Sequence, residues 1–167
     1  MKCVVSRGHT FHRSNISRKI KVRLFIATVE SVLLYGSETW TLTQALTKEI
    51  DGCYTRMLRM ALDISWKEGK TNEELYRNLP PVSAKIQTRR MKLAGHCIRH
   101  KEEVANKLVF WKPEGKRTKG RPATNYIDNL LNDTKLNNTE ELEMVVMERQ
   151  TWSEYVTAAG RPDGRPK

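Results

Sequence analysis

Cysteine is scarce and poorly placed for cross-linking. Cys3, Cys53 and Cys97 are odd in number and widely scattered along 167 residues. That excludes a disulfide framework and points to a reducing compartment, so the chain reads as intracellular, nuclear or cytoplasmic. Long apolar runs are missing as well. None approaches the roughly 18 residues a membrane span needs, and the N-terminus has no apolar secretory core. Residues 2–23 are basic and acid-free, as in a transit peptide, but from Ser17 onward they read as a structural helix. No membrane partner is expected.

Paired acids are also absent. The aspartates are Asp51, Asp63, Asp128, Asp133 and Asp163, and no two are adjacent. Two-metal phosphoryl transfer needs convergent carboxylates. The chain contains neither the GxSxG elbow of a serine hydrolase nor the GxxxxGK[ST] phosphate loop. Metal-knuckle spacing is missing too. His96, Cys97 and His100 cluster, and His9 and His12 lie close together, but no CxxC pair completes a tetrahedral set. The residues therefore predict no catalytic group, no metal and no cofactor. Catalysis by this chain alone is not expected.

Hydrophobic residues make up 38% of the chain, more than in a typical disordered sequence but enough only for a small core. Four Trp and five Tyr favour packing.

What the chain has is positive charge. Thirty Lys and Arg against nineteen Asp and Glu give a net charge of +11. The excess is uneven. Residues 1–23 carry seven basic groups and no acid, whereas 128–154 carry seven acids against Lys135 and Arg149. A folded object with one basic side fits that distribution better than a uniformly sticky cation.

The densest region is 82–122. Between Lys85 and Lys101 stand six Lys or Arg and no acid, and between Lys107 and Arg121 six more against one Glu. As a helix, 84–100 gathers Lys85, Arg89, Lys92, His96 and Arg99 on one stripe, because steps of four and three return to one face. Ile86, Leu93, Ala94 and Cys97 lie toward the other side. The basic loop 112–122 follows, with Lys116, Arg117, Lys119 and Arg121 able to track a phosphate backbone. Its Lys-Gly-Arg-Pro core at 119–122 resembles a minor-groove hook. These residues predict nucleic-acid contact by phosphate neutralisation, tolerant of sequence, with RNA, DNA or a hybrid as the ligand. Among the tryptophans, Trp111 beside Lys112 is the candidate for stacking a base.

Periodicity predicts an all-α protein of about six helices. Ser17 caps a helix over 18–35 carrying Ile20, Leu24, Ala27, Val32 and Tyr35, which Gly36 ends. Thr43 caps a second helix, where Leu46, Ile50, Cys53, Tyr54, Met57, Leu58 and Ala61 form an apolar face. Thr71 and Glu74 open a short helix that Pro80 and Pro81 stop. The basic helix comes next, and residues 107–111 form an extended segment or a helix end. Pro122 starts a helix holding Tyr126, Ile127, Leu130 and Leu131. Asn138 with Glu141 starts the last, running to about Ala159. The organisation predicted is a loose 1–16, a helical pair at 17–66, a basic helical region at 67–159 and a disordered tail at 160–167.

Three stretches carry a resemblance: LLYGSETWTLT at 33–43, RRMKLAGHCIRH at 89–100, and LVFWKPEGKRTKGRPATNYIDNLLNDT at 108–134. In this order they resemble the C-terminal part of the reverse transcriptase of LINE-type (non-LTR) retrotransposons, from about Ile20 to Val156. The resemblance implies that 17–65 is the thumb and the remainder the basic C-terminal extension. Both would grip a template-primer duplex. The alternative is a truncated remnant or scaffold fragment without independent function, whose helices dock on a polymerase palm domain absent from this chain. The parent polyprotein performs RNA-directed DNA synthesis and carries an endonuclease. Its catalytic Tyr-x-Asp-Asp motif has no counterpart here, so the polymerase activity does not carry over. The chain reads as a non-catalytic remnant.

Overall fold

The computed structural model describes residues 16–77, 79–111, 120 and 124–160. Residues 1–15 of the predicted loose start, most of the 112–122 loop and residues 161–167 of the predicted tail lie outside the described residues. Within them the chain is helical, with no strand.

Helix α1 runs through Arg18–Phe25, a π-helical turn at Ile26–Glu30 and a last α-helical turn at Ser31–Leu33. In that middle stretch the Thr28 hydroxyl donates to Leu24 O and the Ser31 hydroxyl to Ala27 O, both at 2.8 Å. Such back-bonding accompanies bent or loosened helix. The π turn inserts one residue into the helical count. The buried row accordingly runs Lys21, Phe25, Glu30, Leu34, stepping four, five, four. The predicted apolar face assumes a strict α period; beyond the extra residue, Val32 and Tyr35 are exposed instead, and Ile20, ahead of it, is exposed as well. Gly36, at φ +67°, ends the helix as predicted and leads into a tight turn at Ser37–Thr39.

Helix α2 (Gln44–Ala61) begins where Thr43 Oγ1 accepts from Leu46 N. Tyr54, Leu58 and Ala61 are buried, but Leu46 and Cys53 are exposed. Helix α3 (Asn72–Tyr76) is capped by Thr71, whose hydroxyl accepts from Glu74 N. Helix α4 (Val82–Arg99) starts after Pro81.

The remaining elements correct the predicted number: eight helices among the described residues, not about six. Residues Val104–Phe110 form a helix of their own, α5, and Trp111 is extended after it. Helix α6 (Tyr126–Thr134) starts not at Pro122 but from Asn125, through an Asn125–Asp128 capping box. The predicted final helix is two: α7 (Thr139–Met147) and α8 (Arg149–Ala159), broken where Glu148 turns extended at ψ 101°. Glu148 serves both helices, ending one and preceding the other.

Packing falls into two cores. Phe25, Leu34, Tyr54, Leu58, Leu75, Val82 and Ile86 form the first. Met91, Ala94, Ile98, Val109, Leu130, Leu142, Val146 and Trp152 belong to the second. Helix α4, about 27 Å long at 1.5 Å per residue, enters the first core with its N-terminal half and the second with its C-terminal half. Little of its circumference is left for solvent, and that remainder carries the cations. Among the described residues no helix is long and apolar enough to cross a membrane.

Candidate nucleic-acid interface

The solvent side of α4 is where the predicted stripe should lie. Lys92 and His96 are exposed there. The Arg89 side chain is 47% exposed, donates to Leu34 O at 3.1 Å and lies 3.9 Å from Glu38. Arg99 is half-buried and donates to Val146 O at 3.2 Å. Both arginines spend one donor on holding a neighbouring carbonyl and keep others, since a guanidinium has five N–H groups. His100 stands beside His96, with ring centroids 4.5 Å apart, and faces Glu103 at 3.9 Å. Cys97 turns inward, and burial pushes its thiol up. Lys101 pairs with Glu143 at 3.6 Å. From Arg89 to Arg99 the helix rises about 15 Å, which matches roughly four phosphates of one strand at 3.4 Å each.

Lys85 departs from the stripe. Its ammonium donates to Glu30 Oε2 at 2.6 Å, and its side chain is only 17% exposed. Tyr54 donates to the same carboxylate at 2.6 Å, and Lys85 lies 5.4 Å from the centre of the Tyr54 ring. Burial, then the bond to Glu30, drives the Tyr54 hydroxyl far above its ordinary value. The charge of Lys85 is therefore matched inside the molecule. The local spacing was right; the partner came from the π turn of α1, which no α period reveals.

Arg90 is the charged residue that sequence reasoning passed over. It is 3% exposed, donates to Asn129 Oδ1 at 2.9 Å and sits 3.3 Å from Asp133. Burial pushes the Asp133 carboxyl up to about 6, with Arg90 opposing the shift. The Tyr126 hydroxyl donates toward both Glu38 O and Arg90 O, linking the Ser37–Thr39 turn to α4. Arg90 marks the place where the two cores meet. Its signal was present in the sequence: Ile86, Arg90 and Ala94 share one row at steps of four.

Trp111 is 63% exposed, in keeping with a surface role. Lys116, Arg117, Lys119 and Arg121 lie outside the described residues. The exposed basic face that the structure assembles is thus Arg89, Lys92, His96 and Arg99, without Lys85.

Comparison with known proteins adds one likeness. Over 122 residues the chain is 29% identical to a transposon-derived protein of Caenorhabditis elegans whose function is uncharacterised. The match covers 68% of this chain and 43% of that protein. The chain thus spans under half of that relative's length. No family profile matches the chain. No solved structure matches it.

Proposed function

We propose that this chain is a non-catalytic, transposon-derived module that holds nucleic-acid backbone against the outer face of α4. The observation that carries the reading is the face itself: Arg89, Lys92, His96 and Arg99 reach solvent along one side of a helix that contains no acid. Cations in that arrangement neutralise phosphates and release counterions without selecting sequence. The transposon-derived description of the relative supports the origin. The three resembling stretches favour, more finely, the thumb and basic extension of a LINE-type reverse transcriptase, with an RNA–DNA template-primer as the ligand. The 112–122 loop would extend the same grip. RNA-directed DNA synthesis would belong to carboxylates elsewhere in a parent polyprotein, so this chain is not itself an enzyme.

The test is the salt dependence of binding to an RNA–DNA hybrid. Replacing Arg89, Lys92 and Arg99 together with Ala should weaken binding and flatten the log–log slope by about 2 to 3, close to one for each lost phosphate contact. An unchanged slope in a folded variant removes α4 from the interface.

A second reading rests on a different observation. Ile20, Val32, Leu46 and Met60 on the first two helices, and Tyr35 just after the first, all stand exposed. A scaffold piece that docks on a missing palm domain would show such side chains. It predicts gradual loss of helix on heating rather than a cooperative transition.

A further inference from the structure

The N-terminal half carries a second concentration of cations, none of them on α4. A cleft of about 590 Å³ is lined by Arg18, Lys21, Lys70 and Arg77, with Glu74 as its one acid. It shares Ile64 and Lys70 with a neighbouring groove of about 650 Å³ that ends at Trp66 and includes Asp63. On the other side a third cleft shares Arg18 and Arg77 and has no acid in its lining. Through those shared residues the three clefts border one another, and this run of grooves is the candidate channel.

Its charges are only partly matched from within. Lys70 pairs with Glu68 at 2.5 Å. Arg18 donates one bond to Leu75 O at 2.5 Å, and burial followed by the Arg77 charge pulls it below its ordinary value. Lys21 is 9% exposed and lines the cleft, and its ammonium has no hydrogen bond or ion pair with any described residue. The start of α1 adds to the same potential: Ser17 gives no side-chain cap, and the first turn contains no acid. Residues 1–15 contain no Asp or Glu that could fold back as a counter-charge. An anion from outside relieves all of this at once.

The far end of the channel specifies more than an anion. Trp66 is 84% exposed, and the Lys67 ammonium stands over its ring, 5.9 Å from the centre. The turn that carries it is closed by a Ser65–Glu68 capping box. Arg59 pins the following loop through Lys70 O at 2.7 Å and Asn72 Oδ1 at 3.0 Å. A flat indole open to water beside a cationic groove suits a nucleobase, and the phosphates of the same strand suit the arginines.

We infer that this channel binds a single nucleic-acid strand, stacking a base on Trp66 and seating phosphates on Arg18, Lys21, Lys70 and Arg77. The inference rests on the nucleic-acid reading proposed above but uses none of its residues. The test uses the full chain carrying Trp111→Phe, titrated with a short oligothymidylate while intrinsic fluorescence is followed. Binding should quench the signal, and Trp66→Phe should abolish most of the quench. Arg77→Gln should flatten the salt slope by about 0.7, the single-strand value for one phosphate. The Arg89, Lys92 and Arg99 variant should still bind the oligomer. If Trp66→Phe and Arg77→Gln bind as the parent does, the channel is not the site. If the α4 variant alone loses the oligomer, the strand sits on α4 and only the channel is overturned. Loss of all hybrid and single-strand binding in the parent overturns both readings. Thymidine monophosphate binding as tightly as the oligomer would mean a nucleotide pocket rather than a strand site.

Discussion

Trp152 and Gly95 show how one residue position is decided by another far along the chain. The indole of Trp152 is 4% exposed and donates Nε1–H to Met91 O at 3.2 Å. It lies against α4 where Gly95 leaves room. A Cβ at position 95 would overlap Nε1 and come within 2.7 Å of Cδ1. Glycine costs a helix interior about 1 kcal/mol against alanine, so on propensity alone Gly95→Ala should stabilise. Overpacking against a buried, hydrogen-bonded ring reverses the sign. We expect Gly95→Ala to destabilise by about 1 to 3 kcal/mol, measured by urea denaturation. Gly52→Ala in α2, where nothing lies within 4 Å of the added methyl, is the control and should stabilise. The sequence shows two helical glycines and cannot tell them apart, because the difference is a contact across the fold. Caps are the opposite case. Thr43, Thr71 and Asn138 each accept from a backbone N–H three residues on, so all three were legible from spacing alone.

At the scale of elements, α1 and α4 are joined by a charge pair that changes the meaning of the basic stripe. Glu30 is buried, accepts from both Lys85 and Tyr54, and is reached only because the π turn rotates it inward. Removing one partner leaves the other charged and dry. Lys85→Met should therefore cost about 3 to 5 kcal/mol, read from a denaturant midpoint. The double variant Glu30→Gln, Lys85→Met should recover most of that loss. Neither should alter the salt slope for an RNA–DNA hybrid once the protein is folded. A slope flattened by Lys85→Met would return that residue to the interface. The helix pattern let five positions be read as one face, and four of them are on it. The fifth was lost because an i to i+5 turn leaves no mark in hydrophobic periodicity. The break at Glu148 escaped for a similar reason, since Val145, Val146, Trp152 and Val156 continue a plausible helical row across it.

The whole molecule depends on how its two cores are joined. The joint is polar: Ser37, Glu38, Arg90 and Asp133 each hold a buried atom without a hydrogen bond among the described residues. Helix α4 runs through both cores, so unfolding either half strips the other of a wall. That coupling predicts one cooperative thermal transition, against the gradual loss expected of a piece that needs a missing palm domain. The joint should also make stability depend on pH. The Asp133 carboxyl is pushed up to about 6 in the folded protein, against 3.8 for an ordinary aspartate, chiefly by burial. Between those values the folded state holds a proton that the unfolded chain has released. Its contribution is therefore fully present below 3.8 and lost as pH rises through 6. Relative to Asp133→Asn, the parent should gain stability between neutral pH and about one pH step below the folded value. The gain is on the order of 1 kcal/mol, since a tenfold change in proton affinity is worth about 1.4 kcal/mol. Urea midpoints of parent and variant across that range check it. Asp133→Asn should show no such gain, while Asn129 goes on accepting from Arg90. The opposite sign, with the parent losing stability on acidification relative to the variant, would mean that Arg90 dominates the joint. The pair would then act as a salt bridge that holds the carboxylate ionised, and the two halves would be clamped by charge rather than by packing along α4.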